Sequence, residues 1–412
     1  MDAFLFRSAR EEDLERLVEI HTCAYPAAGG YERRKRGFTS NRFGGGLGDV
    51  RVIEQNGRVV SHALLYRLEI WLGGRRVPVG GIGSLAVAPE ARRNRVAHLL
   101  LDALHAEIVE QYAPLSLLYP FRERFYADLV YANVTPLVTM RVASDAVAAA
   151  AALMTSATGD TAFSCAPLDG QRLVEARALY DEVGPLASGR VVRGEARWLS
   201  LFAQEDRYWI GVISSGGALE GYVGFSYDAP SMHARQTLVV HELTARSDAA
   251  NLALLAALGR QRDQVDDIEL TIPLGDPLAF AFRDAPGSRR GTPALEHPLG
   301  TVSAGPMVRV GDVRRALALR GYQRDGELTL RCTDDPQAGC LRLSVRGGAA
   351  EVGETNEKPN VELSRSTLAS ILAAGMLPSE AAQLGLLRAE VAALRAADDL
   401  FAGPRFQCLD PF

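Results

Sequence analysis

Residues 83–104, which read GSLAVAPEARRNRVAHLLLDAL, decide the fold prediction. The first part, SLAVAP, is a short apolar run closed by a proline, a pattern typical of a strand. The second part spaces Ala97, Leu100 and Leu104 along one face of a helix, directly after three arginines. A helix start has free N–H groups and the positive end of the helix dipole, and arginine adds charge-assisted hydrogen bonds. This strand-to-helix turn therefore predicts a site for a pyrophosphate group.

Strands and helices alternate on both sides of this turn. Upstream, two apolar runs flank Asn56-Gly57, which predicts a hairpin with a two-residue turn. Residues 28–49 are rich in glycine and arginine and read as a long loop or a broken helix. Downstream, PLSLLYP at 114–120 predicts a strand, and FRERFYADLVY at 121–131 predicts a short helical piece. The first 150 residues therefore predict a mixed α/β unit.

Two further units follow, so the 412 residues divide into three predicted domains, at 1–150, 151–299 and 300–412. The alanine-rich stretch 144–155 reads as a helix or a linker between the first two. The second domain repeats the order of hairpin, strand, long helix and strand, an order that echoes the first domain. The third domain has strands followed by helices, the pattern of an α+β domain.

The composition excludes several classes of protein. Apolar residues make up 47% and charged residues 23%, which is typical of a globular chain and not of a disordered one. The formal net charge of −5 gives no basic field that would attract nucleic acid. The longest apolar run, nine residues at 146–154, is shorter than the roughly 20 that span a membrane. The N-terminus lacks the apolar stretch of a signal peptide, so we expect a cytoplasmic protein without a nucleic-acid or membrane partner.

Neither the cysteines nor the histidines form a metal-binding pattern. The five cysteines are scattered and lack the spacing of a zinc site, which favours reduced thiols. His241 begins an HELTA sequence, but Ala245 stands where an HExxH zinc motif has its second histidine. His62 and His98 are interpreted as structural or exposed side chains. The sequence therefore predicts no metal.

The sequence VAPEARRNRVA resembles the coenzyme A signature of the GNAT superfamily of N-acetyltransferases, Q/R-x-x-G-x-G/A. Arg92 matches its first position and Ala97 its last, while Arg95 replaces the glycine. That glycine lets the backbone approach a pyrophosphate without a side chain in the way. The resemblance implies acetyl-CoA as the acetyl donor, held by the strand backbone and by the helix start. The implied residues are Leu85, Ala86, Val87, Arg92, Arg93, Asn94, Arg95, Val96, Ala97 and Phe121.

The stretch LYPFRERFYADLVY, at 118–131, resembles a second motif of the same superfamily, a strand followed by F-Y-x-x-x-G-F/Y. Tyr126 falls at the position of the tyrosine that such enzymes use as general acid towards the coenzyme A sulfur. A phenol with a pKa of about 10 is protonated at pH 7 and can supply the proton that a leaving thiolate needs. Val130 replaces the glycine of this motif. A packing role is the alternative interpretation of Tyr126.

The order of the three domains resembles the Eis family (enhanced intracellular survival), whose members have tandem GNAT domains followed by a sterol-carrier-like α+β domain. The resemblance covers nearly all of the chain and includes MVRVGDVRRALALRGY and LFAGPRFQCLDPF in the third domain. It implies that the α-carboxylate of Phe412 reaches the active site of the first domain and acts there as general base. A frayed and exposed tail is the alternative. The family also implies a homo-hexamer.

The predicted function is transfer of the acetyl group from acetyl-CoA to a primary amine by direct attack in a ternary complex. The expected acceptor is an aminoglycoside-like molecule, a polyamine or a lysine. Phe38, Ser84 and Tyr119 are candidates for lining its pocket, although core packing fits each of them equally well. The alternative function is a non-catalytic acyl-CoA or lipid-binding protein that retains the GNAT fold, which Arg95 and Val130 favour. The second domain lacks the cofactor signature and is expected to be structural.

Overall fold

The computed structural model describes residues 4–158, 163–229, 231, 234–282, 300–335, 339–408 and 410–412. The chain forms two compact units. The first contains Met1–Val134, Ala187–Leu201 and Pro306–Phe412, and the second contains Thr135–Leu186 and Phe202–Gly305. The three domain boundaries expected from the sequence remain predictions, and residue 299, the end of the second, lies outside the described residues.

The strands are numbered along the chain. They are β1 (Phe4–Ser8), β2 (Val50–Gln55), β3 (Arg58–Leu72), β4 (Arg75–Val87), β5 (Leu115–Leu118), β6 (Ala132–Asn133), β7 (Leu137–Ala143), β8 (Ser164–Pro167), β9 (Tyr208–Ile213), β10 (Leu219–Asp228), β11 (Thr237–Ala245), β12 (Asp267–Pro273), β13 (Thr301–Ser303), β14 (Met307–Val310), β15 (Gly326–Cys332), β16 (Cys340–Arg346), β17 (Ala349–Thr355), β18 (Val361–Leu363) and β19 (Leu387–Ala389).

The α-helices are numbered in the same way. They are α1 (Leu14–Ala24), α2 (Tyr31–Thr39), α3 (Val96–Gln111), α4 (Glu123–Ala127), α5 (Ser144–Thr158), α6 (Gln171–Val183), α7 (Glu195–Phe202), α8 (Asp248–Gly259), α9 (Val313–Leu319), α10 (Arg365–Leu372), α11 (Pro378–Gln383) and α12 (Val391–Phe401).

The hairpin predicted at Asn56-Gly57 is confirmed. Strands β2 and β3 pair antiparallel on either side of it, and both turn residues have a positive φ, of 51° and 75°. A two-residue turn that matches the twist of the strands needs this conformation, which asparagine and glycine adopt at little cost. The alanine-rich stretch 144–155 lies within helix α5.

The first unit is built around a seven-stranded sheet with the order β1-β2-β3-β4-β5-β14-β6. Strands β1 to β4 pair antiparallel in sequence order, whereas β4 and β5 run parallel. Strand β14 pairs antiparallel with both β5 and β6. The strand at Met307–Val310 therefore completes the sheet that begins at residue 4.

Strands β4 and β5 stop pairing halfway along β4. Their register ends at Gly81 and Leu117, but β4 continues to Val87 while paired with β3. In the described chain, residues 82–87 therefore have no strand partner on the side that faces β5. Backbone N–H and C=O groups on that side need other partners, because unpaired backbone groups are costly when buried.

Two helices fix the surroundings of this gap. Helix α1 packs against β3 and β4, and helix α3 packs against β2, β3, β4 and β5. Leu17 and Ile20 of α1 and Leu100 and Leu104 of α3 are completely buried, as expected for the apolar stripes of amphipathic helices. This packing holds the start of α3 beside the end of β4.

The first unit also contains a five-stranded sheet with the order β17-β16-β15-β18-β19, against which α9, α11 and α12 pack. The second unit is formed by a seven-stranded sheet with the order β13-β7-β12-β11-β10-β9-β8 and by helices that include α5, α6 and α8. Its core contains Met140, Phe225 and Leu254. Among the described residues, no helix is both long enough and apolar enough to cross a membrane.

Candidate active site

A β-bulge marks the gap between β4 and β5. Leu64 of β3 pairs with Gly83, but His62 pairs with Ala86, so β4 carries one extra residue opposite β3. Ser84 lies within this irregularity with a φ of 50°, a left-handed conformation that is uncommon outside glycine. Bulges bend a strand and redirect its backbone, and they are frequent beside active sites. The predicted pocket residue Ser84 is half-buried at the gap.

The C-terminal residue lies in the gap. A Cβ placed on Gly83 would be 3.1 Å from the carboxyl carbon of Phe412, and one on Gly81 would be 3.0 Å from the phenyl ring. A Cβ at either position would crowd Phe412, so the absence of a side chain at both glycines favours this close approach. The α-carboxylate of Phe412 makes no hydrogen bond or ion pair within the described part of the chain. It is therefore available to an incoming group.

Three aromatic rings surround the phenyl group of Phe412. The ring centroids of Phe43, Tyr66 and Tyr119 lie 6.2, 5.4 and 5.6 Å from its own. The Tyr119 hydroxyl donates a hydrogen bond of 3.1 Å to the carbonyl of Cys408, so this side chain also holds the backbone of the tail. Burial raises the pKa of both tyrosines, which keeps them as neutral phenols. Phe43 and Tyr66 were not predicted as site residues.

A buried ion cluster holds the tail two residues before its end. Asp410 is completely buried, and its carboxylate accepts hydrogen bonds from Arg193 Nε at 3.0 Å and Arg197 Nε at 2.8 Å. The Arg193 guanidinium lies 4.7 Å from the ring centre of Trp198, and that of Arg197 lies 5.1 Å from the ring of Phe43. Buried charges are stable only when paired in this way. The cluster therefore anchors the tail close to Phe412.

The segment that carries both arginines belongs to the first unit. The carbonyl of Ser188 accepts a hydrogen bond of 2.8 Å from the backbone N–H of Gln407 in the tail. On its other side, the segment exchanges backbone hydrogen bonds with β3, where Trp71 N–H donates to the Arg190 carbonyl and Val192 N–H donates to the Glu69 carbonyl, both at 2.8 Å. The segment thus ties the tail to the strand that lies next to β4.

Tyr126 is a buried residue of helix α4. Only 4% of it is exposed, and its ring makes edge contacts with Phe121, Phe125 and Tyr131 at centroid distances of 5.7, 5.0 and 5.9 Å. Burial, assisted by the nearby phenols of Tyr25 and Tyr131, raises the pKa of Tyr126 well above its ordinary value. The phenol is therefore protonated at neutral pH. Its hydroxyl has no hydrogen-bond partner among the described residues.

The Tyr25 hydroxyl reaches the free side of β4. It donates a hydrogen bond of 2.7 Å to the carbonyl of Leu85, one of the three strand residues predicted to contact the cofactor. Burial raises the pKa of Tyr25, so this donor is also a neutral phenol. Leu85 and Val87 are half-buried and Ala86 is buried. Tyr25 was not predicted as a site residue, because a tyrosine at the end of a helix has no distinguishing sequence pattern.

The predicted pyrophosphate turn lies between β4 and α3. Helix α3 begins at Val96, and the residues Arg92, Arg93, Asn94 and Arg95 before it are exposed. Arg92 donates hydrogen bonds to the carbonyls of Val87 at 3.3 Å and Cys23 at 3.0 Å, which ties the turn to the end of β4. Their roles in cofactor binding, and that of Ala97, stay predictions.

Both departures from the superfamily motifs occupy left-handed backbone positions. Arg95 has a φ of 58° and Val130 a φ of 66°. Glycine adopts this conformation freely, whereas a residue with a Cβ adopts it at a cost of about 1–2 kcal/mol. At both positions the backbone therefore has a conformation that glycine adopts readily, although neither residue is glycine.

Replacing Arg95 with glycine should leave the folded chain more stable than replacing it with alanine, by about 1 kcal/mol. Both changes remove the same exposed side chain, but only glycine lacks the Cβ that opposes the left-handed backbone. Urea unfolding of the two variants measures the difference. Equal free energies of unfolding would contradict the argument.

The remaining predicted residues lie apart from the tail. Phe38 is only 2% exposed, and its ring packs edge-on against His21 at 5.6 Å and His62 at 5.1 Å. Phe38 is therefore a core side chain of α2, and its role as a pocket residue stays a prediction. Phe121 is 64% exposed and lies against Tyr126. Among the described residues, no group of three His, Cys, Asp or Glu side chains could hold a metal ion, and all five cysteines are free.

Three models of known protein families match the chain. Two family models described as an acetyltransferase (GNAT) domain match residues 6–133 and 189–310, and a model described as a sterol carrier protein domain matches residues 313–409. The predicted fold class, tandem GNAT-fold domains followed by a sterol-carrier-like domain in an α/β and α+β chain, is confirmed.

Relatives and solved structures match most or all of the chain. The N-acetyltransferase Eis of Mycobacterium tuberculosis (strain ATCC 25177 / H37Ra) is 24% identical over 351 residues, which cover 84% of this chain and 83% of that protein. A GCN5-related N-acetyltransferase from Anabaena variabilis superposes with a TM-score of 0.82 at 24% identity over the full length of both chains. Eis1 from Mycobacterium abscessus superposes with a TM-score of 0.76 at 22% identity, also over the full length of both.

Proposed function

We propose, from the premise that the chain is an Eis-like acetyltransferase of the GNAT superfamily, that it transfers acetyl from acetyl-CoA to a primary amine. The observation that carries the proposal is the position of the Phe412 carboxylate beside Gly83, in the gap between β4 and β5. The expected acceptor is a small-molecule amine or a lysine side chain, and the amine attacks directly in a ternary complex.

The first unit offers two features that fit acetyl-CoA. On the side facing β5, the backbone of residues 82–87 has no strand partner in the described chain, so it can pair with an extended amide-containing arm. At the start of α3, no described side chain caps the helix, so its first N–H groups are free for phosphate oxygens. The exposed arginines 92, 93 and 95 add positive charge there.

Acetyl-CoA, when bound, would supply the thioester that the amine attacks. The Phe412 carboxylate attracts an ammonium group and accepts its proton, directly or through a water molecule, so that a neutral amine forms the new C–N bond. The Tyr126 phenol gives its proton to the sulfur as the C–S bond breaks. An ammonium group loses two protons as it becomes an amide. The first goes to the Phe412 carboxylate, which later releases it to solvent, and the second converts the Tyr126 phenolate back to a phenol, so the products are an acetylated amine, a free thiol and one proton.

A pH profile tests the role of Tyr126. The residue must be protonated to act, and burial raises its pKa, so activity should be lost only above the ordinary tyrosine range. We expect kcat at saturating substrates to stay level between about pH 8 and 10. Tyr126→Phe should lower kcat by about 100-fold, whereas the exposed Tyr31→Phe should retain the wild-type value. A wild-type decline centred below about pH 9 would contradict the assignment.

The alternative, a non-catalytic acyl-CoA or lipid-binding protein, rests on Arg95 and Val130 in place of two motif glycines. Thiol release with a panel of polyamines, aminoglycosides and lysine peptides separates the two functions. We expect at least one amine to give thiol above the hydrolysis background together with its acetylated product. If none does so while acetyl-CoA binds, the alternative is correct.

From the resemblance to the Eis family we also propose that the chain assembles as a homo-hexamer. We propose that this assembly is cytoplasmic. The native mass of the purified protein tests the assembly: a mass of one or two chains would contradict it.

A further inference from the structure

The only acid that precedes Phe412 in the tail cannot attract a cationic substrate. Asp410 is completely buried, and its two carboxylate oxygens are occupied by Arg193 and Arg197. Within the described chain, the free negative charge of the tail is therefore the α-carboxylate of Phe412. An amine with several positive charges would find one partner here, not several.

Arg42, close to the tail, has no hydrogen-bond or ion-pair partner for its side chain among the described residues. Arg42 lies on a tight turn in which Asn41 N–H donates to the Gly45 carbonyl and the Asn41 side chain accepts from Phe43 N–H, both at 2.9 Å. The turn places Arg42 directly before Phe43, whose ring contacts Phe412. The Arg42 residue is partly accessible to solvent, and its side chain makes no hydrogen bond or ion pair with any described residue.

The positive charge of Arg42 acts on residues that contact the tail. It interacts electrostatically with Tyr66 and Tyr119, the two tyrosines whose rings pack on Phe412. Desolvation and the neighbouring Arg197 lower the pKa of Arg42. An anion bound beside Arg42 would therefore stabilise its charged form. Arg193 and Arg197 are paired with Asp410, whereas Arg42 has no ion pair in the described part of the chain.

We propose that the acceptor is a primary amine that also carries a carboxylate. Its amine would face the α-carboxylate of Phe412, its apolar body would lie against the aromatic rings, and its carboxylate would pair with Arg42. Arginine suits this task because its planar guanidinium can bind both oxygens of a carboxylate. The proposal rests on the proposed acetyl transfer, and it narrows the acceptor from polycations such as polyamines to amines with an acidic group. Specificity of this kind arises from attraction of one charge and rejection of the opposite one.

Three benzylic amines that differ in one para substituent test the proposal. Benzylamine has none, 4-(aminomethyl)benzoate carries a carboxylate, and p-xylylenediamine carries a second ammonium. For the wild-type chain we expect kcat/KM for the carboxylate to exceed that for benzylamine by about tenfold, and the diamine to be the poorest of the three. Acetylated products are quantified by mass spectrometry at fixed acetyl-CoA.

Charge changes at Arg42 complete the test. In Arg42→Gln the ratio of kcat/KM between the carboxylate and benzylamine should fall to about one, and in Arg42→Glu the diamine should become the best substrate. Arg36→Gln, at an exposed arginine of α2 whose side chain has no described partner, should retain the wild-type ratios. Using ratios of kcat/KM separates charge recognition from a general loss of folding.

Each outcome decides between the claims. A wild-type preference for the diamine, or a carboxylate preference that survives in Arg42→Gln, would overturn the inference while leaving acetyl transfer intact. If the wild-type chain binds acetyl-CoA but acetylates none of the three amines and no member of the broader panel, the proposed function fails and the inference falls with it.

Discussion

Deleting Phe412 should lower kcat by about 100-fold or more while the chain stays folded, because the deletion removes a general base from the gap between β4 and β5. The residue is half-buried at the end of the chain, so its loss leaves the main core in place. Adding two or three residues after it should have a similar effect, because the extension converts the α-carboxylate of Phe412 beside Gly83 into an uncharged peptide group and moves the free carboxylate to another residue. Steady-state kinetics at saturating acetyl-CoA measures both effects.

The control for this prediction is the anchor of the tail. In the deletion variant Asp410 and its two arginines are unchanged, so the free energy of unfolding should stay close to the wild-type value. Wild-type kcat in a folded variant that lacks Phe412 would exclude the terminal carboxylate as the base.

Asp410→Asn should have the largest effect on stability. Removing one partner of a buried ion pair costs about 3–5 kcal/mol, because the remaining charge stays buried without compensation. Here one carboxylate serves both Arg193 and Arg197, whose side chains are at most 4% exposed. If the tail leaves the gap, part of the free-energy cost is avoided, but Phe412 is then no longer in the active site. We therefore expect kcat to fall together with the free energy of unfolding.

A matched surface pair provides the control. Asp399 lies 3.9 Å from Arg324, and both side chains are 66% exposed. Asp399→Asn should change the free energy of unfolding by less than about 1 kcal/mol and leave kcat unchanged. If Asp410→Asn behaves like Asp399→Asn in denaturant unfolding and in turnover, the cluster does not anchor the tail.

The parts of the fold that the sequence predicted correctly depend on local patterns. Asn56-Gly57 specifies its own turn, and the apolar spacing after Arg95 specifies helix α3. The short helix around Tyr126 also follows from its own residues. In each case the deciding interactions lie within a few residues of one another, so a pattern along the chain reveals them.

The parts that the sequence missed depend on contacts between distant residues. Strand β14 joins β5 across about two hundred residues, and its four residues carry no sign of their partner. Arg193 and Asp410 are 217 positions apart, and in a chain with 43 arginines an individual arginine attracts no attention. Arg42 and Phe43 gain significance only because the C-terminal residue lies beside them.

Arg95 and Val130 show a second reason why the sequence alone is insufficient, namely that it does not reveal backbone conformation. From the sequence, Arg95 and Val130 read as departures that weaken the superfamily motifs. The structure keeps the glycine-like backbone at both positions, with φ values of 58° and 66°. A substitution can therefore change the residue and keep the conformation, and only the backbone geometry distinguishes this case from a lost motif.

The central claim is that the charge of the terminal carboxylate performs the chemistry. Converting the α-carboxylate of Phe412 to a primary amide, by ligation of a synthetic C-terminal peptide, removes the charge and keeps the phenyl ring and the backbone. Comparison of kcat for the amidated chain and an identically ligated chain with the free carboxylate tests the claim directly. We predict a loss of about 100-fold in kcat with unchanged binding of acetyl-CoA, whereas equal kcat values for the two chains would contradict it.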